Sequence, residues 1–233
     1  MSPCVIKKSL KYAYDKMGNI EKIYKNGELS VRYTYDKLNR LIREDNKAFG
    51  KTWLIAYDTN GNIQHKKETA YTLKKDLDES TFTTKEYGYE GQQLWRYNGE
   101  YIEYNPSDIR PYYYRDKNVK WAKGGQLVSY NGHKFTYDTQ GRRLEKDTIT
   151  FTYDSQGRVV KQSNGLEFFY DHTGVVAVRY NGNMYFYRKD VQGNIVAIVD
   201  SNGWLVVEYS YDAWGTNTCN DESTVNLGIY FKQ

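Results

Sequence analysis

Apolar and polar positions along this chain alternate with a period of two residues, in short runs separated by turn-forming residues. The clearest runs carry paired aromatics. Tyr12 and Tyr14, Tyr33 and Tyr35, Phe135 and Tyr137, Phe151 and Tyr153, Phe168 and Tyr170, Tyr185 and Tyr187, and Tyr209 and Tyr211 each stand two residues apart. Residues two apart on a strand share a face, so each run predicts a β-strand with two aromatics on one side. Small or β-branched residues lie between them in most runs: Ala13, Thr34, Thr136, Thr152 and Ser210. Placed side by side, such strands build an aromatic ladder in which each cross-strand pair contributes roughly 0.2–1 kcal/mol.

Most of these runs end in a turn with one recurring spelling. Tyr14-Asp15 precedes Gly18, Tyr35-Asp36 precedes Asn39, Tyr57-Asp58 precedes Gly61, and Tyr137-Asp138 precedes Gly141. Tyr153-Asp154 precedes Gly157, Tyr170-Asp171 precedes Gly174, and Tyr211-Asp212 precedes Gly215; Val199-Asp200 with Gly203 is a copy without the Tyr. The first copies are 21 and 22 residues apart and later ones 16 and 17, room for two strands and two turns. Asp at the first position of a type I turn accepts a nearby backbone N–H. Gly three residues on supplies the left-handed conformation that closes the hairpin. Asn39 replaces Gly in one copy, and Asn adopts that conformation next most readily. A second turn class consists of Asn-Gly pairs at 26–27, 98–99, 131–132, 164–165 and 181–182, the strongest short hairpin signal. The two classes mostly alternate from Asn131 to Tyr187, which predicts an all-β chain folded as a long antiparallel hairpin meander.

The chain reads as one repeat region over 1–233. Repeats are regular over 12–70, degenerate over 71–125 and regular again over 126–215, with a connecting tail over 216–233 in which Leu227 to Phe231 begins a further strand. Within the middle stretch, Tyr87-Gly88-Tyr89-Glu90-Gly91 is a degenerate copy, and Lys74 to Ser80 is a charged loop or short helical insertion. Pro106 and Pro111 mark loops, because Pro removes a ladder donor.

Composition changes the picture in one respect. Only 39% of the 233 residues are hydrophobic, yet 16% are aromatic and 25 are Tyr. Tyr buries a ring while keeping a polar tip wet, so the core is expected to be a set of thin layers. The net charge of +4 is spread over mixed signs, a soluble surface and not a nucleic-acid footprint. Met1 to Lys11 lacks the apolar stretch of a signal peptide, and no segment is long enough to span a membrane. Cys4 and Cys219 stand at opposite ends and form no disulfide framework.

Candidate chemistry is sparse. His65, His133 and His172 are scattered without metal-ligand spacing. Each turn supplies one carboxylate, whereas a Ca²⁺ loop needs several converging oxygens. Turn capping is therefore the role assigned to Asp58, Asp138, Asp154 and their equivalents. No phosphate loop occurs. A stacking platform for sugars or bases needs exposed rings beside a charged groove, and packing against a neighbouring layer is the favoured role of the ladder. No catalytic residue, metal or cofactor is expected, and the chain is not read as an enzyme.

The Tyr-Asp-x-x-Gly-[Asn/Arg]-apolar unit resembles the YD repeat of the Rhs family, which includes bacterial Rhs and wall-associated toxins, Tc toxin C components and animal teneurins. The run from Tyr185-Phe186-Tyr187 through Asp190, Gly193-Asn194-Ile195 and Ile198-Val199-Asp200 to Tyr211-Asp212-Ala213-Trp214-Gly215 is similar to the bacterial Rhs-associated core. The resemblance covers most of 12–215. It implies a β-strip that spirals into a hollow shell enclosing a C-terminal toxin effector, in a parent that is secreted or displayed at the cell surface. The expected partners are the remainder of that shell and its payload. The alternative is a surface adhesion or carbohydrate-binding module whose partners are cell-wall or surface glycans. The family's Arg/Tyr-rich segment and Pro- and Asp-containing autoproteolysis motif have no matching positions before Gln233, so no catalytic residue is carried over. As part of a continuous strip, the chain is also expected to self-associate through unpaired strand edges.

Overall fold

A computed structural model describes residues 9–107, 109–122 and 124–221. The expected strand at Leu227 to Phe231 and Cys4 lie outside these residues; Cys219 is exposed with a free thiol. Among the described residues, 22 antiparallel strands follow one another as a meander. The chain divides into two compact units, one of residues 1–102 with 210–218, the other of 103–209 with 219–233.

The first unit contains β1 (Leu10–Tyr14), β2 (Ile20–Lys25), β3 (Glu28–Tyr35), β4 (Leu41–Asn46), β5 (Lys51–Tyr57), β6 (Ile63–Ala70), β7 (Thr83–Glu90), β8 (Gln93–Tyr97) and the start of β9 (Glu100–Tyr104). Each strand pairs antiparallel with its predecessor. The register puts Tyr33 opposite Glu44 and Glu44 opposite Trp53, all on one face, while Arg32, Asp45 and Thr52 line up on the other. Val31, Trp53 and Ile55 are buried on the aromatic face. Between β6 and β7 the chain runs without strand through 71–82. Within it Asp78 caps a single 3-10 turn, Glu79–Thr81, by accepting the N–H of Ser80.

The second unit contains β10 (Pro111–Tyr114), β11 (Lys117–Trp121), β12 (Leu127–Tyr130), β13 (His133–Tyr137), β14 (Arg143–Lys146), β15 (Ile149–Tyr153), β16 (Val159–Gln162), β17 (Glu167–Asp171), β18 (Gly174–Tyr180), β19 (Asn183–Lys189) and β20 (Ile195–Asp200). β21 (Leu205–Tyr211) and β22 (Asn217–Asp221) complete the order. Phe151 and Tyr153 are half-buried while Thr152 between them is exposed, so β15 has one packed face. Ala177, Val178, Ala197, Ile198 and Val199 are all buried, so β18 and β20 are covered on both faces, as continuous apolar runs require.

Most Tyr-Asp turns carry a register shift beside them. Tyr14 pairs with Ile20, but Ala13 pairs with Lys22, and the same shift occurs beside Tyr35, Tyr57, Tyr137 and Tyr153. The extra residue is a β-bulge, which bends the strand and increases its twist. The Asn-Gly turns are tighter: Asn131 and Gly132 both have positive φ, 49° and 81°, the type I′ form suited to a two-residue hairpin.

One Asn-Gly pair departs from that class. Asn164 is not among the positive-φ residues; the Gln162 N–H bonds to the Leu166 carbonyl at 2.8 Å and the Gly165 N–H to the Gln162 carbonyl at 3.1 Å. This is the backbone of the Tyr-Asp turn, with Gln162 in the place of Asp. Leu166 is only 6% exposed, and seating that side chain sets the longer connection. Conversely, Arg115 and Asp116 take positive φ without an Asn-Gly spelling, and the turn after Trp121 closes through Ala122 with no carboxylate.

Candidate functional site

The repeat turn is a closed hydrogen-bonded unit. In the copy at 58–62, the Asp58 N–H bonds to the Asn62 carbonyl at 2.9 Å and the Gly61 N–H returns to the Asp58 carbonyl at 3.2 Å. Asp58 Oδ1 accepts the N–H groups of Asn60 and Asn62, both at 2.8 Å. The same pair of carboxylate bonds recurs at Asp15, Asp36, Asp138, Asp154, Asp190, Asp200 and Asp212. Asn39, with φ 59°, takes the Gly position in its copy and donates its N–H to the Asp36 carbonyl at 3.1 Å. Gly18, Gly141, Gly157 and Gly215 close their turns through the same bond.

The second carboxylate oxygen explains the Asn or Arg that follows the Gly. Asn19, Asn62 and Asn194 donate Nδ2 to Oδ2 of their own turn Asp at 3.0, 2.9 and 2.9 Å. Arg40, Arg142 and Arg158 donate Nε at 2.7 Å each. The side-chain bond from Asn62, aided by backbone N–H groups against slight burial, holds the Asp58 carboxyl below its ordinary range. At Asp154 the Arg158 backbone N–H leads and the guanidinium adds to it. The copy at Tyr170-Asp171 is built differently. Asp171 pairs directly with Gly174, and its Oδ1 accepts the Thr173 N–H at 2.6 Å and hydroxyl at 2.7 Å.

The Tyr of five motifs ties its repeat to the strand before it. Tyr35 Oη donates to the Ile20 carbonyl at 3.0 Å, Tyr57 to Leu41 at 2.8 Å and Tyr137 to Leu127 at 2.9 Å. Tyr153 reaches Arg143 at 2.6 Å and Tyr170 reaches Val159 at 2.8 Å. The Arg that binds the turn carboxylate lies over the next Tyr ring: Arg40 on Tyr57 at 4.7 Å, Arg142 on Tyr153 at 5.2 Å and Arg158 on Tyr170 at 4.6 Å. Asp, Arg, next Tyr and preceding carbonyl thus form a relay along the array. Tyr57→Phe keeps the ring under Arg40 and removes one bond. It is expected to cost about 1 kcal/mol in urea unfolding; a variant as stable as the parent would show the hydroxyl to be idle.

Two polar clusters cover the faces of the first unit. On one, Asp45, 0% exposed, accepts Arg43 Nε at 2.8 Å, Arg32 Nε at 2.7 Å and the Thr52 hydroxyl at 2.9 Å. The crossover after β6 lies here. The Thr72 carbonyl accepts from Arg43 and Thr52 at 3.0 and 3.1 Å, and those of Leu73 and Lys74 accept from Arg32 and Arg43 at 3.1 and 2.8 Å. On the aromatic face, the turn after β21 docks. Glu44 Oε2 accepts the Ala213 N–H at 3.1 Å, and Asn46 Nδ2 donates to Glu44 at 2.9 Å and to the Tyr211 carbonyl at 3.0 Å. Lys66 Nζ stands 3.5 Å from Asp212 Oδ2, between the rings of Trp53 at 4.7 Å and Trp214 at 4.1 Å. Burial pushes the Glu44 carboxyl up and the Lys66 ammonium down from their ordinary ranges.

The histidines do not converge. His65 sits in β6 opposite Ala56, His172 at an exposed turn tip, and His133 Nδ1 lies 2.7 Å from Asp147 Oδ2 at the surface.

No protein-family model matches the chain. It is similar to the tRNA3(Ser)-specific nuclease WapA of Bacillus spizizenii, with 29% identity over 229 residues. Its backbone follows the Photorhabdus luminescens Tc holotoxin pore with a TM-score of 0.60, and the TcdB2-TccC3-Cdc42 crystal structure with 0.63, each at 14% identity over 93% of this chain. The fold is that of these Tc toxin structures. The chain spans 92% of its own length in the match to the Bacillus protein but 8% of that protein, and 14% of each solved chain.

The residues that sequence reasoning missed are Glu44, Asp45, Asn46 and Lys66. Arg43-Glu44-Asp45-Asn46 reads as a solvated run until pairing places Thr52 and Trp53 opposite it. No local signal marks them: Trp214, at the tip of the docked turn, is still 42% exposed.

Proposed function

We propose that the chain is a non-catalytic structural segment of an Rhs-type β-shell, a wall that encloses a C-terminal toxin effector and helps deliver it. The observation that carries this reading is the interlocked repeat. Turn carboxylate, following Asn or Arg, next Tyr and preceding carbonyl stitch successive hairpins into a continuous sheet without a thick core. The site residues are wall fasteners: Tyr14, Tyr211 and the other motif tyrosines with their Asp and Gly partners. The partners are then the rest of the shell and its payload, in a secreted or surface-displayed parent, and 1–233 acts as one repeat region. The likeness to toxin components supports this wall role.

Encapsulation itself is the test. This chain is exchanged for the matched residues of the Bacillus relative, and digestion of the polypeptide downstream of the exchange by an added protease is followed. Protection equal to the parent's is expected; digestion as fast as in a deletion of the segment would reject the wall role. The adhesion reading has one observation in its favour: Trp95 and Tyr101 are exposed and stack at 5.5 Å. The motif aromatics give it little support, since most are half-buried or buried. Saturable binding of the chain to cell-wall glycans would favour that reading instead.

A further inference from the structure

The turn at 211–216 differs from its siblings in what its second carboxylate oxygen does. At Asp15, Asp36, Asp58, Asp138, Asp154 and Asp190, Oδ2 is satisfied by the Asn or Arg at the fifth position of the turn; at Asp200 that position is Trp204. Here that position is Thr216, and Asp212 Oδ2 turns to Lys66. Glu44, on the strand beneath, is fully excluded from solvent and Asp212 is 8% exposed. The ionisable groups that face Glu44 are Asp212 from the turn, Lys66 from β6 and Tyr33 and Tyr35 from β3, with Lys85 of β7 beyond Lys66. Two carboxylates therefore share one buried ammonium. With all three ionised, the site holds a net negative charge among largely buried side chains, an arrangement that costs free energy unless it is neutralised.

We propose that the 211–216 turn and the β3–β6 face form a proton-linked latch, in which Glu44 takes up a proton as the turn seats and releases it as the turn leaves. The hydrogen bonds permit this. Glu44 accepts one bond on each oxygen, from Asn46 Nδ2 and the Ala213 N–H, and a protonated carboxyl keeps a full acceptor on its carbonyl oxygen and a weaker one on its hydroxyl. Asn46 spends its amide hydrogens on Glu44 and on the Tyr211 carbonyl, so it reports the seated turn in either protonation state. When the turn lifts, Glu44 meets water and returns to its ordinary range.

The sign is set by the direction of the shift. Glu44 is raised from 4.5 when the turn is seated, so its protonation contributes a stabilisation fully present below 4.5 and lost as pH rises through the seated value. The latch tightens on acidification. The repeat turns behave oppositely: their carboxyls, such as Asp58 and Asp154, are lowered from 3.8, and their contribution is lost as pH falls through the folded values. The latch holds whatever the shell encloses, and its failure would leave the wall reading untouched.

The test uses the whole chain. Between 4.5 and the seated midpoint of Glu44, amide exchange at Ala213, corrected for intrinsic rates, should show the seated-to-lifted ratio rising by up to about tenfold per unit fall in pH. Glu44→Gln keeps the shape and one of the two acceptor oxygens, enough for the Ala213 N–H but not for Asn46 Nδ2 as well; it should remove that slope, with Ala213 protection reduced but still present. An undiminished slope in Glu44→Gln overturns the proposal. Should that variant fail to fold, ¹³C-carboxyl NMR of Glu44 in the parent reads the proton directly: a midpoint above 4.5 supports the latch, and one at or below 4.5 rejects it.

Discussion

Asp45→Ala is expected to destabilise the chain by about 3–5 kcal/mol, the range for removing one partner of a buried ion pair. Asp45 is the point on which Arg32, Arg43 and Thr52 converge, and the side chains of Arg32 and Arg43 are only 24% and 12% exposed. Without the carboxylate, two guanidinium groups lie side by side under the crossover with carbonyl oxygens as their remaining partners. The residual exposure of Arg32 places the effect nearer the lower end. Against a total stability on the order of 5–15 kcal/mol for a domain, that is a large fraction. Urea unfolding measures it. Proteolysis within 71–82 should accelerate in parallel, because Arg32, Arg43 and Thr52 hold the carbonyls of Thr72, Leu73 and Lys74. Asp45→Asn keeps an acceptor and should cost less than Ala; a loss below about 1 kcal/mol in the Ala variant would show that the arginines are held by the crossover carbonyls alone.

What the sequence made legible follows from what is local. The Asp cap, the positive φ at Asn39 and the two-residue spacing of aromatics depend on neighbours within a few residues, so spelling alone predicts them. The Asn or Arg after the Gly belongs to the same local unit and was visible as a pattern, although its bond to Oδ2 was not. Asn164 shows the limit of local reading. Its spelling asks for a type I′ turn, and the burial of Leu166 overrides it. The Tyr hydroxyls were less legible, because their acceptors such as Leu41 for Tyr57 lie 16 residues away and are backbone atoms with no sequence signature. The two buried clusters were illegible for a stronger reason. Asn46 meets Tyr211 across 165 residues and Glu44 meets Ala213 across 169, and no periodicity relates those positions. Charged residues in a strand are ordinarily solvent-facing, and only a turn returning to cover them makes Glu44 a core residue.

Lys66→Met should weaken the docked turn at neutral pH by about 3 kcal/mol, since it strips the cation from two buried carboxylates. Lys66 and Asp212 side chains are 13% and 5% exposed, so little screening by water softens the loss. Met keeps much of the aliphatic stem but not the Nζ that lies over the Trp53 and Trp214 rings, so the loss includes those cation–π contacts as well as the ion pair. Adding Glu44→Gln to Lys66→Met removes one of the stranded carboxylates. The double variant should regain part of the loss, with a coupling in the 0.5–3 kcal/mol range typical of groups in one network. Urea unfolding followed by tryptophan emission, with Trp214→Phe to identify the local signal, separates turn release from global unfolding. The recovery should shrink toward pH 4.5, where Glu44 in the Lys66→Met background protonates by itself and needs no substitution. Equal stability of the single and double variants at every pH above the Glu44 midpoint would mean that charge on Glu44 does not seat the turn. Packing of the turn would then carry the docking, and the pH dependence assigned to Glu44 would have to vanish with it.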